Sequence, residues 1–148
     1  MFSDTIRAMS PLKRSRHGVY DLKYHVVWIP KYRKKLFNDQ MSERLKEIFR
    51  EIAEQYDLEI DTMEVMDDHV HLFLVVPPKY APARIVQMIK RLSAKIMFRE
   101  FPEIKNKLWG GELWNDGYFV RSVGDKVTAE VIRNYIQYQH DEQVGFKF

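Results

Sequence analysis

The sequence contains no cysteine. Disulfides, zinc–thiolate sites and thiol catalysis are therefore excluded. Long apolar runs are missing too: a stretch such as Val70 to Pro78 is far too short to span a bilayer and includes a histidine. The N-terminus shows no apolar segment followed by a small-residue cleavage site, so no secretion signal is read. A prokaryotic cytoplasm is the expected setting, with no membrane partner. There is no P-loop motif G-x-x-x-x-G-K-[ST], and no internal repeat or low-complexity segment.

What is present is one domain's worth of chain. It has 148 residues, 45% of them hydrophobic and 30% charged, which is globular composition with enough length for a core. The net charge of +3 conceals segregation. Residues 1–36 carry nine Lys/Arg against two Asp, and residues 37–71 carry three against eleven Asp/Glu. Residues 72–107 return to eight basic against two acidic, and residues 108–148 carry four against six. Basic segments of this kind suit a polyanionic partner, although ordinary solvated faces give the same pattern.

Residues 1–16 read as a mobile basic tail, with the domain running over 17–148. Tyr20 to Ile29 is rich in Val, Tyr and Trp and reads as a strand. The run from Lys31 to Lys35 follows Pro30. Gln40 to Tyr56 reads as a helix, because Leu45, Ile48, Phe49 and Ile52 recur at helical spacing. Leu58 to Val65 and His69 to Val76 are two further strands separated by an Asp67-Asp68 turn. Pro82 suits the first turn of a helix reaching about Arg99. Leu113 to Val123 contains a broken extended segment. Val127 to about Glu142 is a last helix, with Asp125 or Thr128 as its cap. The order β-α-β-β-α-β-α predicts an α+β fold: a ferredoxin-like two-layer sandwich on a central antiparallel sheet, plus an extra C-terminal helix.

The sharpest local signal is His69-Val70-His71. Alternate strand residues share a face, so both imidazoles point to one side with Cα atoms roughly 7 Å apart. Two imidazoles can converge on one ion across that gap, but they need a third ligand from elsewhere. An incidental pair is the competing reading. On the last helix Tyr135 and Gln139 are four apart and share a face. Gln offers a neutral oxygen suited to a hard cation, whereas Tyr135 and Tyr138 could equally be packing residues.

These residues belong to a wider set of matches. The chain resembles the HUH-type single-tyrosine transposases of the smallest bacterial insertion sequences, often called TnpA. The resemblance is carried by Tyr24-His25-Val26-Val27-Trp28 with Lys31-Tyr32-Arg33, by Met66 to Leu72, by Leu108-Trp109-Gly110-Gly111 with Leu113-Trp114, and by Tyr135 to Gln139. It implies Tyr135 as nucleophile and His69, His71 and Gln139 as ligands of a divalent metal, Mg²⁺ or Mn²⁺. It implies cleavage and rejoining of single-stranded DNA through a 5′-phosphotyrosine, and recognition of hairpin DNA at the element's ends. It also implies a homodimer in which the tyrosine helix of one subunit completes the His-x-His site of the other. Tyr138 stands where the family has an Asn-like residue, and the N-terminal extension is unusually long.

The chemistry implied is demanding. A phenol ionises near pKa 10, so reaching the phenolate at neutral pH costs roughly 4 kcal/mol. A metal on the scissile phosphate offsets this by stabilising charge in the transition state. Arg84, Arg91 and Lys95 share a helix face, and with Lys31, Arg33, Lys34 and Lys35 they are candidate phosphate contacts. Trp109, Trp114, Tyr118 and Phe119 are candidates for base stacking, with core or dimer packing as the alternative. His25 is either a partner of the His pair or a structural histidine. Beside an active transposase stand three other readings: a domesticated relative that cuts chromosomal repeats, a non-catalytic hairpin binder, and a His-x-His hydrolase of small molecules.

Overall fold

A computed structural model describes residues 12–108, 111–124 and 126–137. Its first strands, β1 (Lys13–Ser15) and β2 (Gly18–Tyr20), form a separate antiparallel hairpin. Lys13–Ser15 is thus paired backbone rather than the end of a tail. Lys13 Nζ reaches Glu59 Oε2 at 2.6 Å, which ties the hairpin to the main domain.

The main sheet contains β3 (Lys23–Trp28), β4 (Glu59–Val65), β5 (Val70–Val75) and β6 (Phe119–Val123). Its order is β4-β5-β3-β6, antiparallel throughout. This is the ferredoxin-like arrangement expected from the element order. The expected strand from Tyr20 to Ile29 is divided at Asp21-Leu22, where the Leu22 carbonyl accepts from Val76 N instead of continuing one strand. The broken extended segment expected within Leu113–Val123 has its continuous part in β6. Before it, Trp114 makes a single bridge to Pro30.

One face of the sheet presents Val26, Trp28, Val70, Leu72 and Leu74. Helices α1 (Asp39–Gln55) and α2 (Pro82–Glu100) cover it. The helical spacing of Leu45, Ile48, Phe49 and Ile52 places all four in this core. Asn38 caps α1 by accepting from Met41 N at 2.9 Å, a contact worth about 1 kcal/mol. Arg44 joins α1 to the end of α2 through Glu100.

The opposite face presents His25, Val27, His71 and Phe73, the alternate positions of the same two strands. Helix α3 (Lys126–Gln137) lies over this second face. Ala129, Ile132 and Ile136 pack there on Phe73 and Val123. Thr128 falls inside the helix, and Asp125 lies outside the described residues. The two-layer sandwich and its added helix therefore sandwich the sheet between two unequal cores.

Candidate active site

The strand alternation that sends Val70, Leu72 and Leu74 into the large core sends His71 the other way. His71 is fully buried, and His69, one residue before β5, is 4% exposed. Their ring centroids are 5.0 Å apart. Tyr135, on α3, brings its ring to 5.7 Å from that of His71 and 6.3 Å from that of His25. The fold thus gathers His69, His71 and Tyr135 from two elements far apart in sequence.

Each histidine is held through Nδ1. Asp68 Oδ1 lies 2.7 Å from His69 Nδ1. An ionised carboxylate can only accept, so this contact puts the proton on Nδ1 and leaves a lone pair on Nε2. His69 Nε2 is buried and has no hydrogen-bond partner among the described residues. Leaving a polar atom so placed costs about 1–3 kcal/mol, which a ligand at Nε2 would offset. Arg33 Nε stands 3.5 Å from Asp68 Oδ2 and braces the same carboxylate.

His71 Nδ1 lies 3.3 Å from His25 Nε2, the rings nearly parallel at 12°. Burial, aided by the nearby charge of Arg121, pushes the His25 pKa down to about 4. When His71 Nδ1–H donates to the neutral His25 Nε2, His71 Nε2 is left with the lone pair that a metal ligand needs. His25 is therefore a hydrogen-bond partner of the pair. Its place beside His71 follows from register: His25 opposes Phe73, and Val27 opposes His71.

The donor chemistry fits a divalent metal: two imidazoles on one side of the sheet, each with Nδ1 against a neighbour, one with an orphaned buried nitrogen. Among the described residues no group of three His, Asp or Glu side chains could hold an ion. A further ligand is required, and Gln139 lies outside the described residues, as do Tyr138 and Trp109.

The expectation that the tyrosine helix serves a second subunit concerns an assembly of two copies; within the single chain Tyr135 stands against its own His71. Two features keep it there. The small core of α3 is one. The other is a fork between Arg133 and Asp61 of β4, with Nε–Oδ1 at 2.7 Å and Nη2–Oδ2 at 2.8 Å.

The basic candidates divide into two groups. Lys31 and Arg33 lie in the turn leading from β3 and are half-buried, while Lys34 and Lys35 are exposed. Lys31 Nζ pairs with Glu112, and Lys34 Nζ donates to the Lys107 carbonyl. Arg84, Arg91 and Lys95 are exposed on α2, on the other side of the sheet from the histidines. Of the aromatic candidates, Trp114 is core: it is 5% exposed and donates to Ser93 Oγ at 3.0 Å. Tyr118 packs against the same core, and Phe119 is 37% exposed beside His25. The braces Asp68 and Asp61 were not singled out from sequence. Asp68 had a visible signal, its adjacency to His69; Asp61 had none.

Residues 18–139 match the IS200-like transposase family. The chain belongs to that family. This transposase is 44% identical over 132 residues to the ISDra2 transposase TnpA of Deinococcus radiodurans, covering 89% of this chain and 94% of the relative. It is 33% identical over 134 residues to the transposase for insertion sequence element IS200 of Salmonella typhimurium, covering 90% and 87%. A transposase structure from Deinococcus radiodurans R1 superposes with a TM-score of 0.70 at 42% identity, over 86% of this chain and 97% of that one. A REP-associated tyrosine transposase bound to a REP hairpin shares the fold, with a TM-score of 0.64 at 12% identity over 88% and 73%. No helix among the described residues is long and apolar enough to cross a membrane.

Proposed function

We propose that this transposase cleaves and rejoins single-stranded DNA at insertion-sequence ends, with Tyr135 as the nucleophile. The observation that carries the reading is the convergence of Tyr135 with His71 and His69, 5.7 Å and 5.0 Å between neighbouring rings. Tyr135 Oη attacks the scissile phosphorus. An O–P bond forms to the tyrosine, the P–O3′ bond breaks, and a 3′-hydroxyl leaves. The phenol gives up its proton and the departing 3′-oxygen gains one, so protons balance. One phosphodiester replaces another, so rejoining by a 3′-hydroxyl needs no nucleotide.

His69 and His71, with Gln139 as third ligand, would hold Mg²⁺ or Mn²⁺. Bound there, the ion would supply positive charge to the phosphate oxygens as the phenolate forms. Asp68 and His25 keep the two imidazoles in ligand-competent tautomers. Hairpin DNA at the ends is the proposed recognition element, with Lys31, Arg33, Lys34 and Lys35 near the site as phosphate contacts. Arg84, Arg91 and Lys95 would serve as a second contact surface on the far side of the sheet. We propose a homodimer as the working form, each copy carrying the His–Tyr arrangement described above.

The test is covalent trapping. Labelled single-stranded DNA carrying the element's ends is mixed with protein and Mg²⁺ or Mn²⁺ and run on a denaturing gel. A metal-dependent adduct that disappears in Tyr135→Phe is expected. Tight hairpin binding with no adduct under either metal would reduce the protein to a DNA-binding relative.

A further inference from the structure

The turn Lys31–Arg33 holds two consecutive non-glycine residues in the left-handed region, Tyr32 at φ 61° and Arg33 at φ 50°. Glycine or asparagine would adopt these angles at lower cost. The turn nevertheless carries a tyrosine, and its side chain is not used for packing: Tyr32 is 58% exposed. Large apolar exposure combined with an unfavourable backbone angle points to a ligand rather than to folding.

The surroundings name that ligand. Lys31 Nζ lies over the Tyr32 ring, 5.8 Å from its centroid, and is itself anchored to Glu112 at 3.1 Å. The backbone on the N-terminal side is fixed as well, since Lys31 N donates to the Leu113 carbonyl at 2.8 Å. On the C-terminal side Arg33 reaches Asp68, which holds His69. The ring is therefore an exposed aromatic plate with Lys31 over it, in a turn joined through Arg33 and Asp68 to a proposed metal ligand.

We propose that Tyr32 is a stacking platform for an unpaired nucleobase next to the scissile phosphate. Every base has a π-face, so the contact needs no sequence, and the exposed Lys34 that follows the turn can meet the adjoining phosphate. The left-handed turn has a purpose on this view. It turns Arg33 inward to Asp68 and Tyr32 outward in consecutive residues, so base and phosphate are positioned by one rigid unit. The inference rests on the single-stranded substrate proposed above and adds a specific subsite to it.

The experiment measures binding of a twenty-nucleotide oligo(dT) strand by the full chain across a salt series, for wild type, Tyr32→Phe, Tyr32→Ala, Tyr32→Gly and Lys34→Ala. Tyr32→Phe keeps the ring and should bind within twofold of wild type. Tyr32→Ala and Tyr32→Gly should weaken binding by roughly 5- to 150-fold, the equivalent of about 1–3 kcal/mol per stacked base. Their salt slopes should be unchanged, because no phosphate contact is lost, whereas Lys34→Ala should flatten the slope by about 0.7. Glycine suits the left-handed angle, so Tyr32→Gly should melt no lower than wild type while losing the affinity. Wild-type binding with Tyr32→Ala within twofold of it would overturn the platform alone. Equal losses in the Phe and Ala variants would also overturn it. A wild type that does not bind the strand at all would reject the single-strand reading itself.

Discussion

Arg133 grips Asp61 through two near-parallel hydrogen bonds, and the two residues lie 72 positions apart. One belongs to the helix that carries Tyr135 and the other to the edge strand β4, so the fork fixes the tyrosine helix against the sheet. Both side chains are at most 20% exposed. Asp61→Asn removes the charge but keeps the shape. It is expected to lower stability by about 1.5–3 kcal/mol, the range for hydrogen bonds to charged groups. It should slow adduct formation at saturating DNA at least tenfold while leaving DNA affinity within twofold. Urea unfolding and single-turnover trapping check the two parts; an unchanged adduct rate would separate the fork from the chemistry.

The cis placement of Tyr135 leads to a mixing experiment. His71→Ala lacks a proposed ligand and Tyr135→Phe lacks the nucleophile. If each copy uses its own tyrosine, the arrangement found within one chain, an equimolar mixture should remain inactive in trapping. Recovery toward a quarter or more of wild-type adduct would mean that the helices exchange between subunits.

Stability should follow the titration of His25. Its folded pKa is about 4 against an ordinary 6.5. Between those values the unfolded chain takes up a proton that the folded chain refuses. Stability is then fully present above pH 6.5 and is lost as pH falls toward 4, by up to about 3 kcal/mol. The part due to His25 is isolated by comparing wild type with His25→Gln in metal-free buffer at pH 7.5 and pH 4.5. The variant should show a smaller loss between the two; equal losses would show that His25 is not the group responsible.

Metal binding should be visible without catalysis. A ligand present at a hundred times its dissociation constant stabilises the folded state by about 2.7 kcal/mol. Mn²⁺ should therefore raise the melting temperature by several degrees in wild type and in Tyr135→Phe, but not in His71→Ala. Equal shifts in all three would place the ion elsewhere.

Much of the fold was written in periodicity. Leu45, Ile48, Phe49 and Ile52 mark α1 by helical spacing, and Val70, Leu72 and Leu74 mark β5 by alternation. The His-x-His pair was legible for the same reason, since it occupies the complementary positions of that alternation. Lys13–Ser15 was not, because three residues are too few to show a period and the strand owes its existence to its partner Gly18–Tyr20. Nor could any local pattern show that Arg133 meets Asp61, or that Arg84, Arg91 and Lys95 lie across the sheet from the histidines. Those are facts of topology. The left-handed backbone at Tyr32 was equally hidden, because the residue type argues against it.

The strict alternation along Val70–Val75 makes β5 a ruler marked in single residues. Composition there can drift, because a core valine can become an isoleucine without touching the histidine face. Length cannot. Deleting one residue would rotate every later side chain through the sheet, sending a histidine into the hydrocarbon interior and a leucine toward Tyr135. Descendants of this chain should therefore tolerate insertions and deletions in their surface turns while this strand keeps a fixed residue count.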